Sequence, residues 1–211
     1  MQKRKLKICL TGGPSAGKTT VVDFMKREFS DMAMAIPEAA SVLYKGGFPR
    51  GTKPDEIMSA QRAIYSCQIE MEKMFEAKEG PTLLICDRGT LDQVAYWPHE
   101  KENFFTAVGS SLEVEVARYD FVIHLHTSIF DYEQSFPIRT ESLQEALELD
   151  RKILRAWKPH PRRIEIPSRI TFHEKIDTVF QSIEKCLKQA KSSLPRSLQS
   201  NRLRSQSHAQ V

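Results

Sequence analysis

Residues 7–20 read KICLTGGPSAGKTT, and this stretch determines how the rest of the chain is interpreted. Ile8, Cys9 and Leu10 form a short apolar run, which predicts a β-strand. Residues 12–19 then match the phosphate-binding loop pattern G-x-x-x-x-G-K-[ST], called the P-loop below. Apolar periodicity from Val21 onward predicts a helix directly after the loop. Strand, loop and helix in this order are the context in which the pattern binds phosphate.

The P-loop predicts a site for a nucleoside triphosphate with Mg²⁺. Its glycines let the backbone curve closely around an anion, and the helix start adds free N–H groups and a favourable dipole. Lys18 is expected to contact the β- and γ-phosphates, Thr19 to bind Mg²⁺ and Thr20 to contact the α-phosphate. The alternative is a glycine-rich turn with an incidental lysine. The predicted nucleotide-binding residues are Gly12, Gly13, Pro14, Ser15, Ala16, Gly17, Lys18, Thr19 and Thr20.

The composition is typical of one globular domain. The chain has 211 residues, of which 40% are hydrophobic and 27% charged. It contains no apolar run of membrane-spanning length and no signal-peptide core, so no membrane span is expected. Four cysteines are scattered without a C-x-x-C pair, which favours reduced thiols and a cytoplasmic location.

The C-terminal residues carry the whole net charge of +4. Residues 191–211 contain four basic residues and no acid, so residues 1–190 balance at zero. Because the same stretch has few apolar residues, it is predicted to be a disordered basic tail after a P-loop domain at 1–190. Such a tail can contact nucleic acid or an acidic membrane, but most only increase solubility, so a nucleic-acid partner is not expected.

A second strong signal lies at residues 82–87, TLLICD. An apolar strand that ends in aspartate is the Walker B pattern, in which the carboxylate holds Mg²⁺ directly or through water. Asp87 is therefore predicted to lie beside Thr19 and to share the metal ion with it. Arg88 follows at once and is predicted to enter the same cleft, where it would bind a phosphoryl group or a substrate hydroxyl.

The residues predicted to face a phosphoryl acceptor are Glu38, Gln61 and Arg62, together with Arg88. Glu38 follows a predicted strand at 32–36 and could accept a proton from a substrate hydroxyl. The alternative is a glutamate placed at a helix start by the helix dipole. Gln61 and Arg62 lie on a predicted helix at 56–77 and could bind a base and a phosphate, or could simply form a polar surface.

Three later signals are weaker. Arg139 stands in a loop before the predicted helix at 143–157, where a lid arginine would close over the phosphates in the transition state; the alternative is a surface ion pair. His124 and His126 share one face of a predicted strand, but without a third ligand they are not interpreted as a metal site. Residues 52–55, TKPD, resemble the guanine-reading signature T-K-x-D, which is rejected here because a helix follows and no apolar strand precedes it.

The alternation of predicted strands and helices implies an α/β fold with a five-stranded parallel sheet and helices on both faces, a three-layer sandwich. The catalytic residues predicted within it are Lys18, Glu38, Asp87, Arg88 and Arg139.

Residues 5–190 resemble an AAA-like P-loop family that includes the kinase domain of NadR and a eukaryotic GTP-binding protein of TRP-channel trafficking. The motifs that carry the resemblance are LTGGPSAGKTT, PEAA, AQR, ICDRGTLDQVAY and PIRTESLQEALELD. The chain is more distantly similar to deoxynucleoside and thymidylate kinases. The resemblance implies a P-loop NTPase fold with the kinase-type strand order 2-3-1-4-5, Glu38 or Asp87 as the base, and Arg88 as a phosphate or substrate ligand. The adenylyltransferase domain of NadR and the lipid-binding domain of the eukaryotic relative are not seen, so neither nicotinamide specificity nor trafficking is carried over.

Three functions compete at this point. The first is a small-molecule kinase that transfers the γ-phosphoryl group of ATP, with Mg²⁺, to a nucleoside-like acceptor. The second is an ATPase or GTPase switch that acts through a protein partner. GTP remains the other candidate nucleotide, although Asp87-Arg88-Gly89 does not fit the GTPase pattern D-x-x-G. The third is a non-catalytic nucleotide-binding module. The kinase is favoured because Glu38, Arg88 and Arg139 have a role in it.

Overall fold

Five parallel strands form the centre of the molecule. The computed structural model describes residues 4–99, 101–128 and 142–192. The strands are β1 (Leu6–Thr11), β2 (Ala33–Ile36), β3 (Leu83–Asp87), β4 (Phe121–Leu125) and β5 (Arg163–Ile166). Their order in the sheet is β2-β3-β1-β4-β5, and all neighbouring pairs are parallel. The predicted fold class and strand order are confirmed.

Helices cover both faces of this sheet, as parallel sheets require. They are α1 (Lys18–Glu28), α2 (Ala39–Lys45), α3 (Pro54–Glu76), α4 (Asp92–Tyr96), α5 (Lys101–Val108), α6 (Leu112–Ala117), α7 (Leu143–Ala156) and α8 (Phe172–Ser192). The alternation of side chains along β1 divides the core. Ile8 and Leu10 pack with α1 and α8, whereas Cys9 packs on the other face with Trp157 and Phe104.

The strand register decides where the site lies. Leu10 of β1 is paired with Asp87 of β3, so the Walker B carboxylate comes directly beside the start of the P-loop. β2 flanks β3 on its other side and brings Glu38, two residues beyond the strand, to the same edge. The carboxyl ends of three neighbouring strands therefore meet, as is usual for ligand sites in open α/β sheets.

The structure differs from the sequence predictions in two elements. Helix α6 was not predicted, because its six residues are too few to show a helical period. Helix α8 continues to Ser192, two residues past the predicted domain boundary. Among the described helices, none is long and apolar enough to cross a membrane.

The TKPD segment forms the start of a helix. Pro54 is the first residue of α3, and the carboxylate of Glu56 accepts the backbone N–H groups of Thr52 and Lys53 at 2.9 and 3.1 Å. This geometry satisfies helix N–H groups and agrees with rejecting a guanine-reading role.

Candidate functional site

The P-loop connects β1 to α1 and leaves a set of N–H groups free for an anion. Gly12 has a φ of 134°, and a Cβ there would overlap the carbonyl oxygen of Leu125, so only glycine fits. Since α1 begins at Lys18, the N–H groups of Lys18, Thr19 and Thr20 have no acceptor within the helix. Together with the helix dipole they make this end of the sheet a candidate anion site.

Lys18 is folded back into the loop. Its Nζ donates to the carbonyl oxygen of Gly13 at 2.6 Å, and the residue is only 7% exposed. Burial lowers the pKa of Lys18 to about 8, and the nearby Arg88 acts in the same direction. A polyphosphate in the loop would supply the negative charge that this buried ammonium lacks.

Thr19 and Asp87 form the candidate metal site. The Thr19 hydroxyl donates to Oδ2 of Asp87 at 2.7 Å. The other carboxylate oxygen, Oδ1, is buried and has no hydrogen-bond partner within the described residues. Burial raises the pKa of Asp87, although Lys18 and Thr19 oppose the shift. A hydroxyl beside a buried, unsatisfied carboxylate oxygen fits Mg²⁺, which prefers hard oxygen ligands and would keep the carboxylate ionised.

Arg88 joins the P-loop to the opposite side of the site. Its Nε donates to Oε1 of Glu38 at 2.5 Å, and its Nη1 donates to the Gly12 carbonyl and to Oδ1 of Asp92, each at 3.1 Å. Its φ of 72° is unusual for a residue with a side chain, and such backbone strain is common at functional sites. The guanidinium is thus fixed between the nucleotide-binding loop and the carboxylate of Glu38.

Glu38 is held as an ionised carboxylate. Oε2 accepts the Ser41 hydroxyl at 2.5 Å, while Oε1 accepts Arg88. Burial would raise the pKa of Glu38, but Arg88, Ser41 and Lys18 outweigh that effect and lower the pKa below its ordinary value. The side chain is still 23% exposed, so a ligand can reach it.

A cleft of about 400 Å³ opens beside Glu38 and Arg88. Gln61 lines it from α3, and Pro14 of the P-loop closes one side. The structure thus brings three of the four predicted acceptor residues to one cleft. The residues that line it and were not predicted include Ser41, Tyr44 and Gln93.

Among the described residues, one predicted acceptor contact is not part of this arrangement. Arg62 is exposed on α3, lies outside the lining of the cleft, and donates to the Ser59 hydroxyl at 3.1 Å. Because Gln61 and Arg62 are adjacent on a helix, they project in different directions and only one of them faces the cleft. Arg139 lies outside the described residues, so its lid role stays a prediction.

Asp92 is a buried carboxylate that holds the turn after β3 in place. Its carboxylate accepts hydrogen bonds from the Thr11 hydroxyl at 2.6 Å, the Gly89 N–H at 3.1 Å and the Trp157 indole at 3.0 Å. The residue is 1% exposed. These bonds fix the turn that carries Arg88.

The sequence analysis missed Asp150, which contacts the P-loop from α7. Its Oδ1 accepts the Gly13 N–H at 2.7 Å, and its two oxygens lie 3.1 Å from His124 Nε2 and 2.9 Å from His126 Nδ1. Burial would raise the pKa of Asp150, but these partners outweigh it and hold the pKa well below its usual range. A signal was present in the sequence, because Asp150 falls on the same face of α7 as the buried Ala146 and Ile153.

Solved structures similar to this chain include two of deoxyadenosine kinase from M. mycoides. The structure with bound dATP matches with a TM-score of 0.60 and 13% identity, over 85% of this chain and 100% of that one. The structure with the products dCMP and dCDP matches with a TM-score of 0.57 and 14% identity, over the same shares of the two chains. At this identity the likeness shows the fold.

No curated protein sequence matches the chain. A family model does match: the model of the AAA domain fits residues 7–175, from the strand before the P-loop to the first turn of α8. The narrower resemblance to the NadR kinase domain stays a prediction. Since the matched region covers well over half of the sequence and contains the P-loop, Asp87 and Arg88, the chain belongs to the AAA domain family.

Proposed function

We propose that this protein is a phosphotransferase that moves the γ-phosphoryl group of ATP, with Mg²⁺, to a hydroxyl group of a nucleoside-like acceptor. The observation that carries the proposal is the position of Glu38. An ionised carboxylate stands in a cleft of about 400 Å³, and one arginine ties it to the P-loop. Phosphoryl transfer needs the donor and the acceptor to be fixed side by side. Here the P-loop would fix the donor, and the cleft with Glu38 would fix the acceptor.

The donor side uses the P-loop and the Walker B strand. The free N–H groups at the start of α1 would bind the phosphates, and Lys18 would exchange its bond to the Gly13 carbonyl for the β- and γ-phosphate oxygens. Thr19 and Asp87 would hold Mg²⁺, which when bound neutralises charge on the phosphates. Arg88 would then stand next to the transferred group.

On the acceptor side, Glu38 orients the attacking hydroxyl and takes its proton. Its lowered pKa makes it a weak base, but phosphoryl transfer passes through a loose transition state in which the proton leaves late. A carboxylate offers about four lone-pair sites, so Arg88 and Ser41 still leave room for a substrate hydroxyl. Gln61 adds an amide to the same cleft, with both donor and acceptor atoms.

We also propose that the acceptor is nucleoside-like and that the protein is cytoplasmic. The two similar solved structures are of a deoxyadenosine kinase, which favours an acceptor of the nucleoside class. All four cysteines are free thiols, which favours a reducing compartment.

The test measures ADP release from Mg²⁺·ATP with a panel of nucleosides, nucleotides and sugars, and without acceptor. We expect at least one acceptor to accelerate ADP release. With that acceptor, Glu38→Gln should lower kcat by about 10²- to 10⁴-fold, because it removes the base while keeping the shape. Glu70→Gln is the matched control, since Glu70 is exposed on α3 and pairs only with Lys73 there.

One result would favour the alternative, an NTP-hydrolysing switch that works through a protein partner. In that case ADP release would proceed at the same rate with and without every acceptor, and Glu38→Gln would leave it unchanged.

A further inference from the structure

A cluster of two histidines and one aspartate lies behind the P-loop, on the opposite side of β1 from Glu38's strand. β4 and the residue after it supply His124 and His126, and α7 supplies Asp150. One nitrogen of each ring and one carboxylate oxygen lie within 4.8 Å of one another. The cluster is separate from Thr19 and Asp87, and the proposed phosphoryl transfer does not use its histidines.

We propose that His124, His126 and Asp150 form a binding site for a divalent transition metal of the zinc class. The donor set fits, because zinc binds imidazole nitrogen and carboxylate oxygen at about 2.0 to 2.2 Å. Tetrahedral ligands at that range are roughly 3.4 Å apart. His124 Nε2 lies 3.1 Å from Oδ1 of Asp150, and His126 Nδ1 lies 2.9 Å from Oδ2. With one atom taken from each residue the three ligands lie within 4.8 Å of one another, so an ion held by all three needs them to close in by about 1 Å.

The ring of His126 lies between two carboxylates. Its Nδ1 faces Asp150 at 2.9 Å, and its Nε2 faces Glu165 at 3.2 Å. A neutral imidazole carries one N–H, so one of the two carboxylates would face a lone pair. A second ring proton would remove this conflict, and a metal ion on Nδ1 removes it as well, because Nε2–H then donates a hydrogen bond to Glu165. A carboxylate behind a metal-binding histidine is the usual supporting arrangement in zinc sites.

The surroundings also fit a bound ion. His124 is fully buried and the Asp150 side chain is 6% exposed, so two ligands are held rigidly. The His126 side chain is 26% exposed, which leaves an entry path and an open coordination position. The Gly13 N–H fixes the Asp150 carboxylate from outside the cluster. No described residue supports the His124 ring from behind, because its Nδ1 has no hydrogen-bond partner among them. His126 and Asp150 do have such partners, so they are the residues to substitute.

The ligand types separate this site from the Mg²⁺ site. Thr19 and Asp87 offer only oxygen, which suits Mg²⁺, whereas two imidazoles favour zinc, cobalt or nickel. The inference does not depend on the proposed kinase activity, because it concerns metal binding by the protein without nucleotide.

The experiment titrates the full chain, freed of metal by chelator and kept without nucleotide, with Zn²⁺ in a calorimeter and with Co²⁺ in a spectrophotometer. We expect one ion per chain, and visible Co²⁺ bands typical of nitrogen and oxygen ligands. His126→Ala and Asp150→Asn should each weaken Zn²⁺ binding at least tenfold. Circular dichroism checks that both variants are folded.

His173→Ala is the matched control. His173 is an exposed histidine on α8 that faces Asp177 at 3.6 Å, so it tests whether any histidine–carboxylate pair suffices. Its loss should leave binding unchanged. Three results would overturn the proposal: no Zn²⁺ bound below about 100 μM, binding lost in His173→Ala but retained in His126→Ala, or a thiolate-to-cobalt absorption that assigns the ion to cysteine.

Discussion

Gly12 is the residue at which backbone geometry and function are most closely joined. Its φ of 134° is poorly accessible to other residues, and the carbonyl oxygen of Leu125 occupies the place of a Cβ. Gly12→Ala should therefore lower the free energy of unfolding by about 3 kcal/mol or more, through strain and displacement of β4. Chemical denaturation of the two proteins measures this difference, and ATP binding by the folded fraction should also weaken.

Gly47→Ala is the control for Gly12→Ala, because it introduces backbone strain without a steric clash. Gly47 also has a positive φ, of 93°, but nothing lies within 4 Å of its Cβ position. The substitution should cost about 1 kcal/mol, the usual cost of the left-handed backbone for alanine. If both variants lost the same free energy of unfolding, the Leu125 carbonyl would have to move aside easily, and the P-loop would not be tightly packed against β4.

Sequence reasoning at this scale succeeded in locating residues whose positions follow from a local pattern. Lys18, Thr19 and Asp87 lie where the P-loop and Walker B patterns place them, because short spacings within a strand–loop–helix unit fix their geometry. Asp150 is 137 residues from Gly13 in the sequence. Its contact depends on how α7 packs on the sheet, and no local pattern contains that information.

At the scale of elements, α6 packs on the core through Leu112 and Val116 and also carries one buried carboxylate that bonds to α3. Glu115 accepts hydrogen bonds from Tyr65 of α3 at 2.7 Å and from Arg118 at 2.9 Å, and its side chain is fully buried. Glu115→Gln removes the charge that pairs with Arg118 and should lower the free energy of unfolding by about 2 kcal/mol at pH 7. This is less than the 3 to 5 kcal/mol of a fully buried pair, because the Arg118 side chain is 24% exposed.

The pH dependence of that difference follows from the pKa of Glu115. Burial would raise this pKa, but Arg118, Ser110 and other donors outweigh it and lower the pKa below the usual 4.5. As the pH falls, the unfolded chain binds the proton first, so the stabilisation is present above about pH 4.5 and is lost as the pH falls through the folded-state pKa. Urea unfolding from pH 7 to pH 3 should show the two proteins converging in acid.

Glu113→Gln, on the exposed side of the same helix, is the control and should change stability by about 0.5 kcal/mol or less. A constant gap between wild type and Glu115→Gln down to pH 3 would contradict the assignment.

Long helices and fully apolar strands were easier to predict from the sequence than short elements. Strands β1, β3 and β4 are apolar runs and were identified within one or two residues, and α3 and α7 are long enough to show a helical period. Helix α6 is short, and its sequence LEVEVA alternates apolar and acidic residues with the period of a strand rather than of a helix. The cleft was only partly predictable, because the side-chain directions that separate Gln61 from Arg62 depend on how α3 lies across the sheet.

At the scale of the whole molecule, α8 closes the fold by covering one face of the sheet. Its residues Val179, Ile183 and Cys186 are at most 1% exposed and belong to the core beneath α1. The strand order was predictable from a family resemblance together with the alternation of elements, since parallel strands need crossover helices.

We infer that the stabilising unit ends with α8, and a truncation after Ser192 tests this. The composition of residues 193–211 predicts little buried apolar surface, so their removal should shift the unfolding temperature by about 2 °C or less and leave ATP affinity unchanged. Truncation after Ser182 is the matched control. It also removes Ile183 and Cys186 from the core, and should lower the unfolding temperature by about 10 °C or more, or prevent folding. A comparable loss after the shorter truncation would show that the basic C-terminal residues pack on the domain, and the boundary would have to move beyond α8.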